Sequence, residues 1–302
     1  MSRNWEDIFR SWSNPSSDTE DQKCQNAERM IKAAIQEDPI LAGHKIEVFA
    51  QGSYKNNTNV RNESDVDICV RLMDTFITDY SQANGLTDQF FGFSDAKYTY
   101  PQFKNDVETA LKNKFGGQSI RRGNKAFDVH ANTYRVDADV VPCLEYRLYT
   151  TQKNNGEYFY HSGAQIRPDT GGSILNFPKQ HFEKGIVKNN ATNYRFKYMV
   201  RGLKRLRNEM AGKGFAAAIP IPSFLIECLV YNCPDGSFGH TDYLDDVKDI
   251  LAHTYNATLT LEQCKGWLEV NGIKFLFHSK QPWSHSQAHE FLSAAWNYIG
   301  FN

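Results

Sequence analysis

Apolar and polar side chains alternate along KIEVFAQ (45–51), which predicts a strand. DVDICVRL (65–72) predicts a second strand, and the polar run between the two has neither a helical nor a strand period. YPQFKNDVETALKNKFG (100–116) carries apolar residues at helical spacing and ends on Gly116 and Gly117, a helix stop. FDVHANTYRVDADVVPCLEYRLY (127–149) predicts two extended runs joined as a hairpin. Ahead of them, the polar turn SNPSSDTED (13–21) leads into a helix through QKCQNAERMIKAAI, with acids in its first turn.

The period changes after about residue 160. NATNYRFKYMVRGLKRLRNEMAG (190–212), SFLIECLVYNC (223–233), TDYLDDVKDILAHTY (241–255) and SQAHEFLSAAWNYIG (286–300) all predict helices. The pattern therefore predicts an α+β chain of two lobes. Residues 1–160 form a mixed lobe and residues 161–302 a mostly helical one. The ligand site is expected in the cleft between them.

Composition narrows the function. The 302 residues are 40% hydrophobic and 23% charged, as in an ordinary globular protein, and the formal net charge is −1. A partner as polyanionic as long nucleic acid normally selects a strong basic excess, which this chain lacks. Six cysteines (24, 69, 143, 228, 233 and 264) form no CxxC pair, so a reducing, cytoplasmic setting is expected. MSRNWEDIFRSW has no apolar signal-peptide core, and no apolar run is long enough to span a membrane.

Candidate chemistry centres on carboxylates. Asp65 and Asp67 alternate with Val66 and Ile68, so a strand places both acids on one face. Like charges this close repel, and a hard divalent cation bound by oxygen ligands relieves the repulsion. RVDADVVP (135–142) repeats the pattern with Asp137 and Asp139. Either supplies a third acid for a site holding two metal ions about 3.5–4 Å apart. Asp139 is preferred because it directly precedes Val-Val-Pro, with Asp137 as the alternative. Gly52-Ser53 precedes the acids; its glycine admits close approach of a phosphate, and the serine hydroxyl and backbone N–H groups can bind the phosphate oxygens.

Gly52-Ser53, Asp65-Val66-Asp67-Ile68 and Ala138-Asp139-Val140 together resemble the polymerase-β-like nucleotidyltransferases. Within that superfamily the chain is similar to the cGAS/DncV-like nucleotidyltransferases, or CD-NTases. FKYMVRGLKRLRNEM (196–210) resembles that family's lysine-bearing helix, and IPSFLIECLVYNCP (221–234) its serine-bearing helix. The resemblance spans about residues 45–235, and the N-terminal helix matches the family's spine helix. It implies a catalytic lobe of mixed sheet and helices, with metal on Asp65, Asp67 and Asp139. It further implies that Lys197 contacts the triphosphate and Ser223 a phosphate, while Phe224 is either a base-stacking platform or core.

Lys197, Arg201, Lys204 and Arg205 recur at helical spacing as a basic stripe, which reads equally as a solvated surface. The zinc-binding insertion of the family's animal DNA sensors has no counterpart here. His285 and His289, four residues apart, lack further ligands at motif spacing. The family implies two Mg²⁺ ions, with Mn²⁺ as an alternative, and nucleoside triphosphate substrates joined into a cyclic di- or trinucleotide. It also implies a separate effector activated by that product, as in CBASS antiphage signalling. The competing readings are a linear oligoadenylate-like synthase and a transferase acting on RNA or protein.

Overall fold

The computed structural model describes residues 3–15, 17–60, 65–152 and 156–301. In chain order the elements are α1 (Trp5–Trp12), α2 (Asp18–Glu37), β1 (Ile46–Gln51), the single turn α3 (Gly52–Lys55) and β2 (Val66–Asp79). Next come α4 (Asp88–Phe91), α5 (Tyr100–Phe115), β3 (Ile120–Arg122), β4 (Phe127–Val129), β5 (Ala138–Gln152), β6 (Tyr158–Ile166) and β7 (Ile174–Asn176). The helices α6 (Pro178–Ala191), α7 (Arg195–Gly212), α8 (Ser223–Tyr231), α9 (Tyr243–Ala257), α10 (Leu261–Cys264) and α11 (His285–Ile299) complete the chain.

These elements form two compact units, and both are discontinuous in sequence. The sheet unit is Ser17–Tyr54 with Ser64–Lys179; the helical unit is Met1–Ser16, Lys55–Glu63 and Gln180–Asn302. The boundary thus falls near residue 179, not 160, because β6 and β7 extend the sheet beyond the point where the hydrophobic period changes. Likewise α1 belongs to the helical unit, so the first lobe does not begin at residue 1.

In the sheet unit the strands run in the order β1-β2-β5-β4-β3, with β6 on the later part of β5 and β7 on β6. β2 and β5 are parallel, and α5, β3 and β4 lie in the crossover between them. One face of the sheet is apolar. Val66, Ile68, Val70 and Leu72 of β2, with Ala138 and Val140 of β5, pack on Ala27, Ile31 and Ile35 of α2 and Phe103, Val107 and Leu111 of α5. Period-two alternation then sends Asp67 and Asp139 to the opposite face. β2 runs on past the expected end at 72, through a register shift between Leu72 and Phe76.

The helical unit is built around α7, whose Phe196, Met199, Val200, Leu203, Leu206 and Met210 face one core with the apolar side chains of α8, α9 and α11. Phe9 of α1 is completely buried in this core. A Cβ on Gly202 would meet the Phe9 ring at 3.1 Å, so α1 lies close against α7. No helix among the described residues is long and apolar enough to cross a membrane.

Candidate active site

β2 and β5 bring the two acid motifs side by side. In their parallel register Asp67 stands opposite Asp139. The N–H of Val66 donates to the Asp137 carbonyl (3.1 Å), which extends the pairing to the Asp65–Asp137 end. Asp65 precedes the strand and is exposed; Asp67 and Asp139 are partly buried. Burial first, then the charges of Asp139 and Asp65, raise the Asp67 pKa to about 6. Burial, then the charges of Asp128 and Asp65, raise Asp139 to about 6 as well. Asp65 is raised by burial and by the charges of Asp137 and Asp128.

The elevated values mark negative charge without a counterion. Among the described residues no lysine or arginine forms an ion pair with Asp65, Asp67 or Asp139. A divalent cation suits this donor set, because it supplies the missing charge to hard oxygen ligands. Among the described residues, however, no three His, Cys, Asp or Glu side chains are already gathered into a finished cage. The chain provides an opposed, partly buried carboxylate pair on two rigid strands, with Asp65 one residue outside.

The two candidates for the third acid differ in their partners. The carboxylate of Asp137 accepts the backbone N–H of Ala131 (2.6 Å) and so caps its own loop. Asp139 sits in the sheet, opposite Asp67. Asp128, which sequence reasoning passed over, lies opposite Asp139 across β4–β5, and its charge helps to raise the Asp139 pKa. Its signal was available: Phe127-Asp128-Val129 has the same apolar–Asp–apolar form as Ala138-Asp139-Val140.

The Gly52-Ser53 turn is part of the same construction. Gln51 pairs with Asp67 across β1–β2, so the turn begins beside that acid. Gly52 has φ +70°, and a Cβ there would lie 2.2 Å from Asp67 Oδ2. Only glycine leaves room for the carboxylate. The hydroxyl of Tyr54 donates to the Asp21 carbonyl (3.1 Å) and ties the turn to α2. Residues 61–64 of the following loop lie outside the described residues.

In the helical unit the basic stripe is not a solvated surface. Arg201 and Lys204 are 1% and 2% exposed. Arg201 donates to the carbonyls of Ser13 (2.7 Å) and Asn57 (2.5 Å), and Lys204 to the Thr58 carbonyl (3.0 Å) and Glu227 (2.9 Å). Lys197 is different: its ammonium makes no ion pair among the described residues, and burial, partly offset by Glu227, lowers its pKa. Ser223 is the first helical residue of α8, with Pro222 at the cap position, and its hydroxyl accepts from Arg207 (2.5 Å). Phe224 is partly buried against the helical core, its ring 5.7 Å from His181 and 5.9 Å from Trp283. His289 stacks on Tyr255 at 4.3 Å, a packing role.

A mixed sheet with opposed acids on parallel strands, and a glycine turn pressed on one of them, defines a nucleotidyltransferase of the polymerase-β-like class. Residues 183–300 match the model of the cGAS/DncV-like nucleotidyltransferase C-terminal helical domain. The chain is 52% identical over 302 residues, all of both chains, to the cyclic dipyrimidine nucleotide synthase CdnE of Legionella pneumophila. It is 40% identical, again over all of both chains, to the cyclic dipyrimidine nucleotide synthase CdnE of Cecembia lonarensis. Its fold is similar to that of the Rhodothermus marinus CdnE c-UMP-AMP synthase with Apcpp and Upnpp. There the TM-score is 0.84 and the identity 32%, covering 98% of this chain and 97% of that one. The chain belongs to the cGAS/DncV-like nucleotidyltransferase family, whose members are metal-dependent nucleotidyltransferases.

Proposed function

We propose that this enzyme joins two pyrimidine nucleoside triphosphates into a cyclic dinucleotide, releasing pyrophosphate at each step. The observation that carries the chemistry is the register of β2 and β5, which opposes Asp67 to Asp139 with neither acid neutralised. The pyrimidine preference is supported by the two full-length relatives that are cyclic dipyrimidine nucleotide synthases.

In this mechanism Asp65, Asp67 and Asp139 would hold two Mg²⁺ ions, or Mn²⁺ in their place. The ions would favour ionisation of the attacking hydroxyl and screen the charge on the triphosphate. Gly52 and Ser53 bind phosphate oxygens through backbone N–H groups and the hydroxyl. Lys197 contributes positive charge to the triphosphate, its own pKa lowered by burial. The hydroxyl of Ser223 contacts a phosphate, and the Phe224 ring stacks on a base. The ribose hydroxyl of the acceptor attacks the α-phosphorus in line, and pyrophosphate leaves. The same chemistry between the ends of the linear intermediate closes the ring. The cyclic product would then act on a separate effector protein, as in CBASS-type defence.

The test is incubation with all four nucleoside triphosphates and Mg²⁺, then mass spectrometry before and after phosphatase. A cyclic dipyrimidine product has no terminal phosphate and survives phosphatase unchanged. A product that loses phosphate is linear and contradicts ring closure; a purine-only product contradicts the pyrimidine preference.

A further inference from the structure

The segment that follows the Gly52-Ser53 turn is held by a buried ionic network that packing alone does not explain. Thr58 is fully buried although it lies in a loop, and Asn56 and Asn59 are nearly so. The Thr58 hydroxyl donates to Glu227 Oε2 (2.8 Å). Lys204 Nζ bridges Glu227 Oε2 (2.9 Å) and the Thr58 carbonyl (3.0 Å). Glu227 Oε1 is bonded to His181 Nε2 (2.8 Å). One residue earlier, Asn57 holds a left-handed backbone with φ 53°, and Arg201 donates to its carbonyl. Lys55 lies 5.1 Å from the centre of the Phe182 ring. All of these residues belong to the helical unit.

Buried ion pairs add little net stability compared with apolar replacements of similar volume. A residue other than glycine held at positive φ costs energy and persists only where its surroundings impose it. Here both features are spent on one short stretch of backbone, and that stretch begins two residues after Ser53 in the chain.

We infer that Thr58, held by Glu227 and Lys204, is a positioning residue that fixes the backbone following Ser53 and so presents the Gly52-Ser53 turn to substrate phosphate. Thr58 touches no reacting atom; it acts through the chain. This rests on the proposed phosphate-binding role of Gly52-Ser53. A contact made equally in the ground and transition states is read in KM rather than kcat.

Two substitutions separate positioning from mere structure. Thr58→Val keeps the shape and removes the hydroxyl, while Thr58→Ser keeps the hydroxyl. In Thr58→Val, KM for the nucleoside triphosphate should rise about fivefold, the worth of one buried hydrogen bond. Its kcat should stay within about twofold. Its Tm should stay within about 4 °C. Thr58→Ser should retain the parent KM. Should Thr58→Val fail to fold, the variant to use is Lys204→Met/Glu227→Met, which removes both members of the Lys204–Glu227 pair together. The same rise in KM is expected from it. A parent KM in the folded Thr58→Val or double variant overturns the inference, as does an equal rise in Thr58→Ser. Asp67→Asn, assayed in parallel, keeps the two claims apart. If it is inactive while Thr58→Val has the parent KM, only the positioning role falls. If it is active, the site assignment falls first.

Discussion

Gly52 is the residue at which geometry and chemistry constrain each other most tightly. Its φ of +70° costs an L-residue about 1–2 kcal/mol. Its missing Cβ leaves the space that Asp67 Oδ2 fills. Gly52→Ala therefore displaces the proposed metal ligand as well as straining the turn. A displacement of about 1 Å at a reacting centre lowers turnover on the order of 100-fold, and that is the loss expected here. Circular dichroism should show a folded protein, and pyrophosphate release should show the defect; near-parent turnover would mean that Asp67 does not need this position. At the same scale, the candidate acids Asp65, Asp67 and Asp139 stand out in the sequence because strand alternation turns a local motif into a face. The fate of Arg201 and Lys204 could not. A cation at helical spacing reads as surface, and the partners that draw these two inside lie 144 and 146 residues away, at Asn57 and Thr58.

Strand pairing supplies what no single strand can. Parallel register across β2 and β5 opposes Asp67 and Asp139. Burial first, then the charges of Asp139 and Asp65 on Asp67, and of Asp128 and Asp65 on Asp139, lift both pKa values to about 6. The sign of the consequence follows from linkage. A carboxylate whose folded pKa lies above its unfolded value favours folding most at low pH and loses that contribution as pH rises through about 6. Metal binds the ionised pair, so it restores stability on the alkaline side and competes with protons on the acid side. The rise in Tm on adding Mn²⁺ or Mg²⁺ should be larger at pH 8 than at pH 5.5, and Asp67→Asn should reduce it at pH 8. A larger rise at pH 5.5 would contradict metal binding at these acids. Most elements were legible from period alone, including β1, the start of β2, α5 and the four later helices. The elements not foreseen have physical reasons. The buried positions of α6 are His181, Gly185 and Asn189, so its apolar stripe is absent. β3 and β7 are three residues each, too short to show an alternation.

Across the whole molecule, both units are assembled from separated pieces of chain, and this hid the domain boundaries from a linear reading. Hydrophobic period marks a change near residue 160, yet the sheet unit takes in β6 and β7, and residues before 17 and around 55–63 sort with the helices. A net charge of −1 fits an enzyme whose substrates are small anions and whose binding charge is local rather than spread over the surface. Full-length identity of 52% and 40% to cyclic dipyrimidine nucleotide synthases places the whole chain, not one segment, in the family.

Pyrophosphate release from pyrimidine nucleoside triphosphates, measured for the parent, Asp67→Asn, Asp139→Asn and Asp137→Asn, decides whether the opposed acids of β2 and β5 carry the chemistry. Loss of a group that neutralises charge at the reacting centre should cost about 100- to 1,000-fold, so the first two variants should be nearly silent. Asp137→Asn, whose carboxylate caps its own loop, should keep most of the parent rate. Pyrophosphate release by folded Asp67→Asn or Asp139→Asn at the parent rate, or silence of Asp137→Asn with activity in Asp139→Asn, would mean that the opposed pair is not the metal site.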